Sequence, residues 1–192
     1  MRQPLIRFAL VVAVAALNAS LSRAQTYEVD AMHTSVNFRV SHLGLSWTFG
    51  RFNDVSGGFT IDPADAGKCA FQLTIKTESI DTGNAKRDDH LRSPDFFNVK
   101  QFPLLTFKST AVEAVKDGYA VTGDLTLHGV TKAVKFVVVG GRKAEFPKGV
   151  RRTGYSTDLV LKRSDFEMDK MKEAIGDDVH ISISFEGVEK AR

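Results

Sequence analysis

The chain has a single cysteine, Cys69, in 192 residues. One thiol excludes an internal disulfide, so an exported form must be held together by packing or by a ligand. No histidine lies near Cys69 in the sequence, and a catalytic thiol wants a base beside it. Between Lys68 and Ala70, at the start of an apolar run, it reads as a half-buried small residue. Also missing are a glycine-flanked nucleophilic serine and a glycine loop able to cradle phosphate. The five histidines (His33, His42, His90, His128 and His180) include no pair at the spacing of a zinc-binding helix, and no acidic residue completes such a motif. A metal site assembled from distant strands stays open on the sequence.

A charge surplus is lacking too, once the N-terminus is set aside. Arg2 and Arg7 flank a short apolar run, Phe8 to Leu17, and Ser22-Arg23-Ala24 places small residues before a cleavage point. Residues 1–24 therefore read as a signal peptide. The run is shorter than the ~20 residues that span a bilayer; an uncleaved anchor is the rival reading. No cysteine near residue 24 offers a lipoprotein anchor. The chain has 26 Lys+Arg against 23 Asp+Glu, and Arg2, Arg7 and Arg23 supply the whole excess. The remaining chain is balanced, which gives no support for nucleic-acid or polyanion binding. Residues 25–192 suit one domain with a substantial core.

What is present is alternation. Val36, Phe38 and Val40 alternate with polar neighbours, as do Phe59 and Ile61, then Phe71, Leu73 and Ile75. The same period of two returns at Leu105 and Phe107, at Leu125 and Leu127, and at Val134, Phe136 and Val138. It closes with Leu159 and Leu161, then Ile181, Ile183 and Phe185. This is the signature of half-buried strands. Turn residues separate the runs: the loop Asp62 to Gly67, Lys116-Asp117-Gly118 with a glycine suited to positive φ, and His128-Gly129. Eight or more antiparallel strands with one apolar face predict an all-β barrel or sandwich.

Three segments break the alternation. His42 to Phe49 predicts a short helical turn, and so does Phe166 to Ile175. The longest is the polar crossover from Thr82 to Phe97, where Asp88 to Arg92 fit one or two helical turns ended by Pro94. His42 and His90 stand beside apolar clusters, where a polar group can fix a ligand's head. Each can equally serve as a structural hydrogen-bonding group. Arg87, Asp88, Asp89 and Arg92 read either as a solvated, internally paired face or as a charged cavity mouth. Fourteen phenylalanines against one tryptophan and three tyrosines offer broad apolar area without polar groups to satisfy. In an eight-stranded barrel such rings either fill the interior or line a cavity for one small ligand.

An ordered series of segments resembles the YceI-like family of exported, lipocalin-like, polyisoprenoid-binding proteins. It begins with Tyr27-Glu28-Val29-Asp30, then His33 to Phe38, Val40 to Gly44 and Gly57 to Pro63. It continues through Ser79 to Gly83, Arg87 to Ser93, Asp95-Phe96-Phe97 and Phe102 to Phe107, and ends with Gly123 to Thr131 and Arg163-Ser164-Asp165-Phe166. The resemblance covers Tyr27 to Val188. It departs at Glu167, where the family usually has glycine, and at His128, often arginine in relatives. It implies an eight-stranded antiparallel lipocalin-like barrel with short helices in the crossover loops. It also implies an apolar pore for an isoprenoid lipid or quinone-like ligand, a periplasmic location and a homodimer, with no catalytic mechanism to transfer.

On the combined reading the pore is lined by Phe38, Phe59, Leu73, Ile75, Phe107, Leu125, Phe136 and Phe185. Trp47, Phe49, Leu91, Phe96 and Phe97 shape an entrance or lid. His42, Arg87, Asp89 and His90 contact the head group. The expected function is binding, transport or storage of an isoprenoid lipid. The alternatives are a stress-response module that binds a protein such as a membrane cytochrome, and an enzyme on a small lipid with His42 or His90 as base.

Overall fold

The computed structural model describes residues 23–190. The expected leader falls outside them except for Arg23 and Ala24. Among the described residues, eleven strands run in sequence order. They are β1 (Gln25–Val29), β2 (Ser35–His42), β3 (Ser46–Phe52), β4 (Val55–Ile61), β5 (Ala70–Lys76) and β6 (Ile80–Asp81). The rest are β7 (Leu104–Val115), β8 (Gly118–Leu127), β9 (Val130–Glu145), β10 (Arg151–Lys162) and β11 (Ile175–Glu189). The sheet order is β1-β4-β5-β7-β8-β9-β10-β11-β2-β3-β6, and β1 also pairs with β11. Every ladder is antiparallel.

Three of the eight walls are bent in the middle. β1 and β2 form one bent strand, as do β3 with β4 and β5 with β6. Each half of a bent strand pairs with a half of its neighbour: β1 with β4, β2 with β3, β4 with β5, β3 with β6. The result is a closed eight-stranded antiparallel barrel. Closure leaves no open sheet edge around most of the wall. The only α-helix among the described residues is α1 (Ala85–Arg92).

Alternation decides what faces inward. Phe59, Phe71, Ile75, Phe107, Leu125 and Val138 are buried, while their strand neighbours Lys76, Lys108 and Asp124 are exposed. The β8–β9 hairpin turns on His128 (φ 52°) and Gly129 (φ 78°), the two positive φ values that match the twist of the flanking strands. In the β7–β8 turn the positive φ falls on Asp117 (62°), and Gly118 lies in the strand. Gly118 is needed for another reason: a Cβ there would sit 1.9 Å from the Val138 carbonyl oxygen.

Two expected helices are absent. His42 to Phe49 is the β2–β3 hairpin, with Leu43 and Gly44 at positive φ. The cross-strand ladder from Val36↔Phe52 to His42↔Ser46 outweighs the weak helical spacing of its apolar residues. At Phe166 to Ile175 only a 3₁₀ turn, Arg163–Phe166, forms, and turns follow. Arg163 holds the loop in another shape: its guanidinium donates to the carbonyls of Met168 and Lys170, which a helix would have used internally, and to those of Ile175 and Gly176. Cys69 is buried and accepts the Asp62 N–H at 3.2 Å, and burial pushes its thiol pKa up. That is a packing role.

Candidate functional site

One end of the barrel is plugged by packed rings, some stacked and some edge-on. Phe59 lies 5.0 Å from Tyr27, 5.4 Å from Phe185, 5.7 Å from Tyr155 and 5.8 Å from Phe71, measured between ring centroids. All five are buried. Above this floor the interior is open. A cavity of about 600 Å³ runs up the barrel, lined by Phe38, Leu73, Phe107, Leu125, Phe136, Ile181 and further apolar side chains. That size falls within the range of small-molecule sites.

The other end is the mouth. It is framed by the β2–β3 turn, by the crossover carrying α1, and by the loop from Arg163 to Ile175. Sequence and packing place α1 here. Asn84 caps its N-terminus by accepting the Arg87 N–H at 3.0 Å. Buried Asp88 accepts from the backbone and hydroxyl of Thr82. Arg92 donates to the carbonyls of Glu78 at 2.9 Å and Ile80 at 2.8 Å. The helix is therefore fastened to β6 by its polar residues, while Leu91 points at the cavity. Phe96 is buried against the edge of His90 at 5.0 Å, and Phe97 meets Phe52 edge-on at 5.6 Å.

Asp95 joins the two mouth loops. It lies 3.0 Å from His90 Nε2 and 3.3 Å from Lys170 Nζ. The His90 hydrogen bond, then Lys170, holds its carboxyl below the usual carboxylate range. His90 and Asp95 form a base-and-orienter pair, yet among the described residues no serine, threonine or cysteine side chain bonds the His90 ring; the Ser93 hydroxyl donates only to the His90 backbone carbonyl. A hydrolytic constellation would need that nucleophile.

Of the expected site residues, Phe38, His42, Phe59, Leu73, Ile75, Arg87, His90, Leu91, Phe96, Phe97, Phe107, Leu125, Phe136 and Phe185 line the cavity. Three do not. Trp47 and Phe49 alternate with inward Ser46 and Thr48 on β3, so both point outward, 44% and 63% exposed. Trp47 packs over Arg39, 4.7 Å away, and meets His180 edge-on. Asp89 projects from α1 into solvent and pairs with Arg92 at 3.2 Å. Arg87 spends its donors on Thr82, at 2.7 Å to the hydroxyl and 2.9 Å to the carbonyl.

Sequence reasoning missed Thr157, Arg163, Met168 and Met171 as lining residues. Thr157 was recoverable, since it continues the inward series of Leu159 and Leu161. Arg163 was not, because nothing in the sequence marks a cation that folds back onto a loop. Its guanidinium is buried, and desolvation lowers its pKa.

A separate cluster lies at the outer base. Ligand atoms of Asp30, His33 and Glu186 come within 4.8 Å of one another. The Arg152 guanidinium sits among them, bonded to Asp30 and 3.6 Å from Glu186, so the cluster already holds its own cation.

A closed barrel around an apolar cavity, with a ring-plugged floor and a polar mouth, defines a lipocalin-like barrel protein. The YceI-like domain profile matches residues 27–187, and the chain belongs to that family. It is similar to a UPF0312 protein of Pseudomonas aeruginosa (strain LESB58), 40% identical over 184 residues, covering 94% of this chain and 95% of that one. Protein YceI of Salmonella arizonae is 36% identical over 190 residues, covering 99% and 100%. Among solved structures, BcnA of Burkholderia cenocepacia superposes with a TM-score of 0.75 at 26% identity, covering 82% of this chain and 98% of that one. A polyisoprenoid binding domain from Saccharophagus degradans shares the fold at a TM-score of 0.68 and 21% identity, covering 86% and 99%.

Proposed function

We propose that this protein binds an isoprenoid lipid, or a similar quinone-like amphiphile, in its barrel and carries or stores it in the periplasm. The observation that supports this most is the cavity of about 600 Å³ with an almost wholly apolar wall. Burying a prenyl tail there gains about 25 cal/mol per Å² taken from water, less the cost of ordering the tail. A domain of the same fold, described as polyisoprenoid binding, points the same way. The function proposed is binding without turnover. Extraction of the purified, leader-exported protein followed by mass spectrometry tests it. An isoprenoid or quinone-like species at near one per chain is expected; recovery of no amphiphile overturns it.

A second reading, docking of a protein or of a second copy on the barrel wall, is favoured by one observation. Phe49, Arg39, His180 and Val160 lie in one row across β3, β2, β11 and β10, with Trp47 beside them. Phe49 and Val160 are more than half exposed. Capture of a membrane protein by a barrel stripped of lipid, lost in Phe49→Ser, would support it.

A further inference from the structure

Among the described residues, one buried polar side chain on the cavity wall has no hydrogen-bond partner. Arg163 is spent on backbone carbonyls, His90 on Asp95, and Arg87 on Thr82. Ser41, His42, Ser46 and Thr48 stand at the mouth within reach of solvent. Thr157 is different. It is 5% exposed, it lines the cavity, and its Oγ1 has no hydrogen-bond partner.

Its position is deep. Thr157 lies five residues below Lys162 on β10, roughly 16 Å down the strand at ~3.3 Å per residue. It pairs across with Ile183, and Ser156↔Val139 places it beside Val138 on the other flank. Tyr155, two residues further down, is already part of the ring floor. A buried hydroxyl without a partner costs about 1–3 kcal/mol. Water is a poor remedy, because an ordered buried water needs two to four polar partners and these neighbours offer hydrocarbon. Valine has nearly the same shape and would remove the cost, so the hydroxyl stands where a partner from outside the chain can reach it.

We propose that Thr157 is a hydrogen-bonding subsite at the cavity floor, and that the ligand carries a carbonyl or hydroxyl oxygen on the end that enters first. This rests on the cavity being a lipid site. It narrows the class to amphiphiles with an oxygen at the buried end, such as a quinone ring or a fatty ketone, amide or alcohol. A chain ending in plain hydrocarbon leaves the hydroxyl unpaired. The mouth groups then meet the trailing end of the molecule.

The test uses the full protein freed of lipid and 2-pentadecanone labelled with ¹³C at the carbonyl. Affinity is read by displacement of a fluorescent fatty probe, and the carbonyl stretch by infrared difference spectroscopy. In the wild type the bound carbonyl absorbs at lower frequency than in hydrocarbon solvent. Thr157→Val is expected to abolish that shift and weaken binding about fivefold, the worth of one neutral hydrogen bond. Thr157→Ser is expected to keep the shift. The empty Thr157→Val protein melts no lower than wild type, because its hydroxyl had no internal partner to lose. Equal affinity and an unshifted carbonyl in wild type and Thr157→Val overturn the subsite while leaving lipid binding intact. Failure of the wild type to bind either ketone or probe overturns the cavity reading itself. A clear loss of melting temperature in empty Thr157→Val assigns the hydroxyl to the fold and overturns the proposal.

Discussion

Phe59→Ala removes the ring on which the barrel floor is built. Phe59 is 3% exposed and touches four other rings, with centroids between 5.0 and 5.8 Å away. It also covers Gly187, where a Cβ would lie 2.5 Å from the ring. Phe→Ala in a core costs about 3–5 kcal/mol. Four aromatic partners, each worth about 0.5–1.5 kcal/mol beyond area, place this site at the upper end, near 4–5 kcal/mol. A domain of this size holds about 5–15 kcal/mol in reserve, so the variant is expected to fold but marginally. Urea unfolding followed by far-UV circular dichroism measures this. With a slope of about 2 kcal/mol per molar, the midpoint falls by about 2 M. Any bound ligand must be removed first, since it raises apparent stability by mass action. Phe59→Leu, which keeps the floor filled, is expected to lose less than half as much. A loss below about 1.5 kcal/mol in Phe59→Ala would refute a packed floor, and with it a cavity closed at that end.

Glu167 occupies a left-handed conformation at φ 59°, ψ 24°. That backbone costs a side-chain-bearing residue about 1–2 kcal/mol, partly offset by the entropy glycine loses on folding. Glu167→Gly should therefore stabilise by about 0.5 kcal/mol, read as a rise of roughly 1–2 °C in melting temperature. The Asp30 carboxyl is held down to about 2, first by Arg152 and then by His33. Its folded value lies below its unfolded one, so the stability it gives is present above about pH 4 and lost as pH falls toward 2. After allowance for solvent screening this is about 1 kcal/mol. Wild type and Asp30→Asn should differ by that amount at pH 7 and converge near pH 2 in acid-unfolding series. Asp95→Asn cuts the tie between the two mouth loops, and faster release of a fluorescent lipid is expected in stopped flow. Raising salt should speed wild type toward the variant, because both pairs are exposed.

Much of this was legible in the sequence because a barrel wall has period two. Phe38, Leu73, Phe107, Leu125 and Phe136 could be assigned to the inside from their neighbours alone, and the lining residues follow. The same rule competes with another signal at Trp47 and Phe49. There the local spacing is helical, and it points two outer-wall aromatic residues toward the entrance. In a hairpin the ladder hydrogen bonds decide, and they depend on a partner strand that local spacing does not reveal. Asp89 failed differently. A helix of eight residues presents several faces, and only the fastening of Asp88 and Arg92 to β6 fixes which one meets solvent. The loop after Arg163 lay beyond reach, since one guanidinium holding four carbonyls leaves no periodic trace.

The ring floor has a consequence for traffic. A tube open at both ends can pass a molecule through, taking it from one compartment and delivering it to another without turning. Tyr27, Phe59, Phe71, Tyr155 and Phe185 make this barrel a cup. Whatever enters past the Asp95 tie leaves the same way, last end first. For the proposed carrier, donor and acceptor would then use one rim in succession, and the protein would have to let go of one before it could serve the other. On that reading, direction of transfer would be set by which surface holds the lipid less tightly, not by the shape of the barrel.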